Sequence, residues 1–222
     1  MGLREDKRDE LRRAIVDTAI RLFRDKGYDG TRIKEIVAQV RISEATFFNH
    51  FPSKEALLDQ FTLDIVDRYT ILLRHELLDD ARPVRERIRE MVAKIGQTFA
   101  ADRSFMAVVA VRSNLFYGAT DLARERHLGA YTLLAELFRQ GQQRGEIRRD
   151  VDSLQLAEIL TAVYMLTIAN WLIGWWNDGG ALEPRLAKAI EVVLSGCSQT
   201  RDTASRSRAQ IPLATRGRRK RR

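Results

Sequence analysis

The sequence predicts an all-α protein, and three observations predict it. Apolar residues recur at helical spacing along most of the chain. Only four prolines and 13 glycines interrupt the 222 residues. No stretch alternates apolar and polar residues as a half-buried strand would. The expected organisation is an N-terminal three-helix head over 1–54, a helical body over 55–198 and a basic tail over 199–222.

The elements follow in chain order. Leu11, Ile15, Ala19, Leu22 and Phe23 share one face of a first helix, which Gly27 ends as a C′ residue. Thr31 is placed to cap a short second helix, with Ile33, Ile36, Val37 and Val40 inward. Ser43 caps a third helix, where Ile42 and Phe47 occupy the two positions of a hydrophobic staple. Pro52 stops that helix at Phe51. Ser53 opens a fourth, running through Leu57, Leu58, Phe61, Ile65, Tyr69 and Leu72 to about Leu78.

"DDARP" breaks the pattern near 79–83, and Ile88, Met91, Val92, Ile95 and Phe99 form the next stripe. A turn at 102–104 precedes an apolar helix over 105–116, and 118–121 is the next break. Residues 122–143 read as a helix with Tyr131, Leu134, Leu137 and Phe138 inward. Asp152 and Gln155 resemble a capping box at the start of a long apolar helix that "NDGG" stops. Pro184 suits the first turn of a last helix, whose apolar face is Leu182, Leu186, Ile190 and Val193 and which Gly196 closes.

Charge is unevenly placed. The formal net charge is +8, and residues 201–222 alone hold nine Lys/Arg against Asp202. The remaining residues balance, so the high isoelectric point does not by itself mark the fold as a nucleic-acid binder. Two readings of the tail stand: salt-sensitive attraction to DNA, or simple solubilisation.

Cys197 is the single cysteine, which leaves no intramolecular disulfide and fits a reducing cytoplasm. The charged start, MGLREDKRDE, is unlike a signal peptide. Residues 159–176 are 18 in a row without a charge, which reaches the threshold for a membrane span. Thr161, Thr167, Asn170 and Gly174 within it, and the amphipathic helix behind it, favour a buried helix and no membrane partner. No hydrolase elbow, phosphate loop, dinucleotide fingerprint or zinc-protease motif is present. His50, His75 and His127 show no metal-ligand spacing. No enzyme activity, catalytic residue, metal or cofactor is therefore expected.

The stretch "RISEATFFNHFPSK", residues 41–54, carries the function. Two short helices joined by a tight turn behind a longer helix fit a helix-turn-helix. At about 100° per residue, Phe47 and Phe51 fall at roughly 300° and 340° from Glu44 and mark the buried side. Asn49 lies near the centre of the opposite side, flanked by Ala45 and Thr46, with Phe48 and His50 at the margins. In this motif the outward N-terminal half enters the major groove. Ala45 can meet a thymine methyl, Asn49 can pair with adenine, and Thr46 can bond a base or a phosphate.

Residues 31–58, "TRIKEIVAQVRISEATFFNHFPSKEALL", resemble the N-terminal signature of the TetR family of transcriptional repressors. The resemblance implies a cytoplasmic homodimer on double-stranded DNA with a palindromic operator, released by a small-molecule effector not identified by the sequence. It implies DNA contacts at Thr31, Ser43, Ala45, Thr46, Phe48, Asn49, His50 and Lys54, and Arg32, Arg41 and Glu44 complete the expected set. Three positions depart from the family's pattern. Arg41 stands where glycine is usual, Phe48 where tyrosine is usual and Glu44 where lysine is frequent. Glu44 suits the helix dipole and can accept from a cytosine amino group. The rival readings are a membrane-tethered DNA binder using 159–176 and a ligand-independent nucleoid-type protein.

The last two helices are expected to pair with a partner's as a four-helix bundle, with Leu172, Trp175, Trp176, Leu186, Ile190 and Val193 at the interface. A ligand pocket is expected among Phe105, Val109, Arg112, Phe116, Tyr131, Tyr164 and Ile168. Arg112 is a candidate for an anionic or carbonyl group, or for an ion pair to a neighbouring helix. The helix over 53–78 joins head to body and is the expected lever.

Overall fold

The computed structural model describes residues 3–113, 120–175 and 180–198, with side chains from residue 5 onward. Among these residues are nine α-helices and no strand. They are α1 (Leu3–Lys26), α2 (Ile33–Val40), α3 (Glu44–His50), α4 (Glu55–Leu78), α5 (Val84–Ala100), α6 (Arg103–Arg112), α7 (Asp121–Gln143), α8 (Ser153–Leu172) and α9 (Leu182–Gly196).

The head is α1–α3. The expected stripe of α1 is inward: Ile15 and Ala19 are sealed completely, with Leu22 and Phe23 nearly so. Gly27 closes the helix at φ 80°, a conformation glycine adopts without steric cost. The turn between α2 and α3 is made by Arg41 at φ 62° and ψ 46°, the one non-glycine residue with positive φ among those described. Ile42 N–H returns to Val37 O at 3.0 Å and closes the turn.

Helix α4 has 24 residues and spans about 36 Å. Its first turns pack in the head, and the rest lies against α5, α6 and α7. Its far end is fastened by buried charge. The Glu76 carboxylate receives Arg82 at 2.8 Å, and the fully buried Arg87 donates to Glu76 O at 2.6 Å and Gln140 Oε1 at 3.2 Å. Removing one partner from such a group would strand a buried charge, so the arrangement fixes where α4 ends.

In the body, α8 packs between α7 and α9, and α5 packs on α9. At Gly141, an added Cβ would lie 2.5 Å from the Ile147 side chain, so only glycine lets α7 approach that close. Helix α8 is long and apolar enough to cross a membrane, yet Leu156, Leu160, Tyr164 and Ile168 are sealed inside this chain. It ends at Leu172, earlier than the apolar run suggests. Gly174 takes φ 70°, and Trp175 N–H bonds back to Asn170 O at 3.0 Å. Helix α6 likewise ends at Arg112, short of the expected 116; residues 114–119 lie outside the described set.

Candidate functional site

Ser43 begins α3 as expected, its Oγ accepting from Thr46 N at 3.0 Å. Phe47 and Phe51 are completely buried. Arg12 of α1 holds the far end of α3. Its guanidinium lies 4.2 Å over the Phe51 ring, and it donates to His50 O at 2.7 Å and to Gln60 Oε1 at 2.8 Å. The helix therefore cannot roll on the head without breaking packing and charge-assisted bonds together.

The opposite face is open. Arg41, Glu44, Ala45, Phe48 and Asn49 are exposed, and Arg32 lies exposed just before α2. Phe48 is 48% exposed, too open to be a core residue. Thr46 is half-buried, and its hydroxyl meets Ser43 Oγ at 2.8 Å. His50 is half-buried at the margin, and burial together with Arg8 and Arg12 lowers its pKa.

Two expected DNA contacts are placed otherwise. Thr31 is 1% exposed. Its hydroxyl donates to Gly27 O at 2.9 Å and Leu22 O at 3.2 Å, tying the loop to α1. The cap of α2 falls one residue later, where Arg32 N–H bonds the Glu35 carboxylate at 3.0 Å. Lys54 Nζ is also committed inside the head, to Tyr28 O at 2.7 Å and Thr31 O at 3.1 Å, 4.1 Å above the Tyr28 ring. Both side chains brace the loop that precedes the helix-turn-helix.

A second site is a cavity of about 620 Å³ bounded by α1, α4, α5, α6, α7 and α8. Its apolar walls include Val16 and Ile20 of the head, Phe61 and Ile65 of α4 and Met106 of α6. A polar tier is formed by Tyr69, His127, Tyr131, Thr161 and Tyr164. Burial pushes the Tyr164 hydroxyl up to about 12. Burial, with the nearby Tyr164, also raises Tyr69 well above the usual tyrosine range, although Tyr69 Oη has no partner in hydrogen-bonding geometry. At the rim, Arg24 of α1 meets Asp102 at 2.8 Å, and the same aspartate caps α6 by accepting from Phe105 N at 3.3 Å. One ion pair thus spans head and body in the cavity's lining.

Of the expected ligand residues, Tyr131 and Tyr164 line this cavity. Phe105, Val109 and Ile168 do not; they are buried behind its walls, Phe105 with its ring against Phe61. Arg112 is exposed and pairs with Asp29 at 3.1 Å, 5.3 Å over Tyr28, so it is a second head–body tie. Phe116 lies outside the described residues. The α1 wall has no local signature in the sequence, because Val16 and Ile20 belong to the same apolar surface as the head core.

The expected dimer face also needs correction. Leu172, Leu186 and Ile190 are at most 5% exposed within one chain, because the stripe of α9 packs on its own α5 and α8. Val193 is half-buried on that core, and Trp176 is outside the described residues. Of the expected residues Trp175 is open, and with it Leu154, Ile159, Leu166 and Ile173 along α8 and its end, and Val192 on α9.

Two family models match. Residues 15–61 match "Bacterial regulatory proteins, tetR family", and residues 81–196 match "Tetracyclin repressor-like, C-terminal domain". The chain is 26% identical over 170 residues to the HTH-type transcriptional repressor DhaR of Mycobacterium sp. (strain GP1), covering 75% of this chain and 84% of DhaR. Its fold is similar to that of the Thermus thermophilus repressor FadR in complex with lauroyl-CoA, with TM-score 0.63, 23% identity and coverage of 93% of this chain and 100% of that one. It is also similar to Bacillus subtilis FadR in complex with stearoyl-CoA, with TM-score 0.63, 18% identity and coverage of 82% and 97%.

Proposed function

The chain belongs to the tetR family of bacterial regulatory proteins and is a DNA-binding transcriptional regulator, and on that premise we propose that it is a homodimeric cytoplasmic repressor released from a palindromic operator by a small molecule. The observation that carries the reading is the two-sided α3: phenyl rings 47 and 51 sealed in the head, and Glu44, Ala45, Phe48 and Asn49 open to solvent. In a major groove, Asn49 reads adenine, Ala45 meets a thymine methyl and Glu44 accepts from cytosine N4. Arg32 and Arg41 reach phosphates, and Phe48 packs on the sugar backbone.

Pairing of two chains through the open faces of α8 and α9 covers Ile159, Leu166, Ile173 and Val192, and sets two heads about 34 Å apart for half-sites one turn apart. The effector occupies the cavity between head and body. The relative DhaR is named a repressor, and the two FadR structures hold acyl-CoA ligands, which supports ligand-controlled release. A ligand that prefers the DNA-incompetent form a hundredfold shifts the equilibrium by about 2.7 kcal/mol. Selection of bound fragments from random duplex DNA tests the reading. A two-fold-symmetric pair of short half-sites is expected, and uniform coating without a consensus would overturn it.

A further inference from the structure

Two buried polar atoms in the cavity's polar tier lack a hydrogen bond of normal geometry, although the Tyr164 hydroxyl lies near the first of them. Tyr69 Oη and His127 Nε2 are covered from solvent and make no hydrogen bond within the described residues, and both residues line the cavity. A buried donor or acceptor left in this state carries its desolvation cost unrelieved, so a ligand that pairs with it gains selectivity as well as affinity.

The type of partner follows from His127. Its Nδ1 lies 2.7 Å from Ala123 O. A carbonyl oxygen only accepts, so Nδ1 carries the hydrogen, and in that tautomer Nε2 is an acceptor. That atom needs a donor from the ligand. The Tyr69 hydroxyl can donate to a ligand oxygen. Both atoms are covered in this wall, and the unbranched Met165, which also lines the cavity, can move without a change in backbone.

The rim argues against a polyanion. Arg24 is held by Asp102 at 2.8 Å, Lys94 lies 3.5 Å from Glu76, and Arg21 donates to Gln39 at 2.5 Å. Arg21, whose partner Gln39 is neutral, and Arg68 have no ion pair among the described residues, and Asp17 and Asp64 share the lining with them. Such a rim does not assemble the run of uncommitted cations that several phosphates require.

Building on the effector reading above, we propose that the cavity takes a neutral, mainly apolar alcohol or phenol, whose hydroxyl donates to His127 Nε2 while Tyr69 donates to an oxygen of the same molecule. The cavity volume suits such a molecule.

Calorimetry on the full-length protein tests this with four probes: 4-octylphenol, its methyl ether 4-octylanisole, 4-octylbenzoate and lauroyl-CoA. The phenol should bind at least about tenfold tighter than the ether, a difference of about 1.4 kcal/mol, and tighter than either anion. His127→Phe should erase the phenol-to-ether ratio, and His127→Gln, which still accepts, should keep it. Tyr69→Phe should weaken the phenol while leaving the ligand-free protein as heat-stable as before or more so. Equal affinity for phenol and ether, a preference for an anion, or no binding by any probe would overturn the inference. Phenol bound without loss of affinity for the selected operator would leave this chemistry standing and sink the effector reading instead.

Discussion

Replacing Arg41 by glycine should stabilise the protein and weaken its hold on DNA. The structure puts Arg41 at φ 62° and ψ 46° in the turn before α3. A residue with a Cβ pays about 1–2 kcal/mol for that conformation. Glycine pays nothing there but loses more freedom on folding, about 0.5–1 kcal/mol. The balance favours Arg41→Gly by about 0.5–1 kcal/mol, and for a chain of this length that raises Tm by about 1–4 °C. The comparison is made at one protein concentration, because dimerisation also shifts Tm. The exposed guanidinium is the compensation if it meets a phosphate, so the variant should lose DNA affinity uniformly across sequences and lower the salt slope by about one. Thermal unfolding by circular dichroism and fluorescence anisotropy at several salt concentrations read the two effects. A lower Tm would refute the strain argument, and an unchanged salt slope would refute the phosphate contact.

Three further outcomes are expected. Asn49→Ala should weaken the selected operator by about 1–3 kcal/mol and random DNA little; equal loss on both would remove its base-reading role. Leu166→Asp, on the open face of α8, should yield a folded monomer by analytical ultracentrifugation, whereas Leu186→Asp should unfold the chain, since Leu186 is 2% exposed in the core; a dimeric Leu166→Asp protein would move the interface elsewhere. The Glu55 carboxylate lies below its ordinary value because it accepts from its own backbone N–H, from the Tyr28 hydroxyl and from Ser53. A depressed folded pKa contributes stability above the unfolded value of about 4.3 and loses it as pH falls through the folded value. Glu55→Gln should therefore flatten the fall in Tm between pH 5 and 3, and an unaltered acid limb would contradict this.

The parts of the molecule legible in the sequence are those that a single helix decides. Periodicity alone separates Phe47 and Phe51 from Ala45 and Asn49, because 100° per residue fixes which side chains share a face. Ser43 was readable as a cap because capping is a bond across three residues. What escaped depends on partners far along the chain. Lys54 bonds residues 26 and 23 positions back, and Arg112 finds Asp29 83 positions away. On α9 the strongest apolar stripe turned inward, and the solitary Val192 outside it marked the open face. A stripe shows that a helix has something to bury; it does not say against which neighbour. The sequence locates only part of the cavity, Tyr131 and Tyr164, for a similar reason. Its walls come from six helices, and the sequence groups Val16 and Ile20 with the head core although they also face a void.

That shared wall limits how such proteins can be recombined. Val16, Ile20 and Arg24 are carried by the reading head yet shape the chamber of the body. Transplanting the first fifty-odd residues onto a foreign trunk would exchange one side of the chamber along with the DNA preference. Chimeras of this chain should therefore change inducer spectrum when only operator choice was meant to change, and a graft that spares α1 would avoid it.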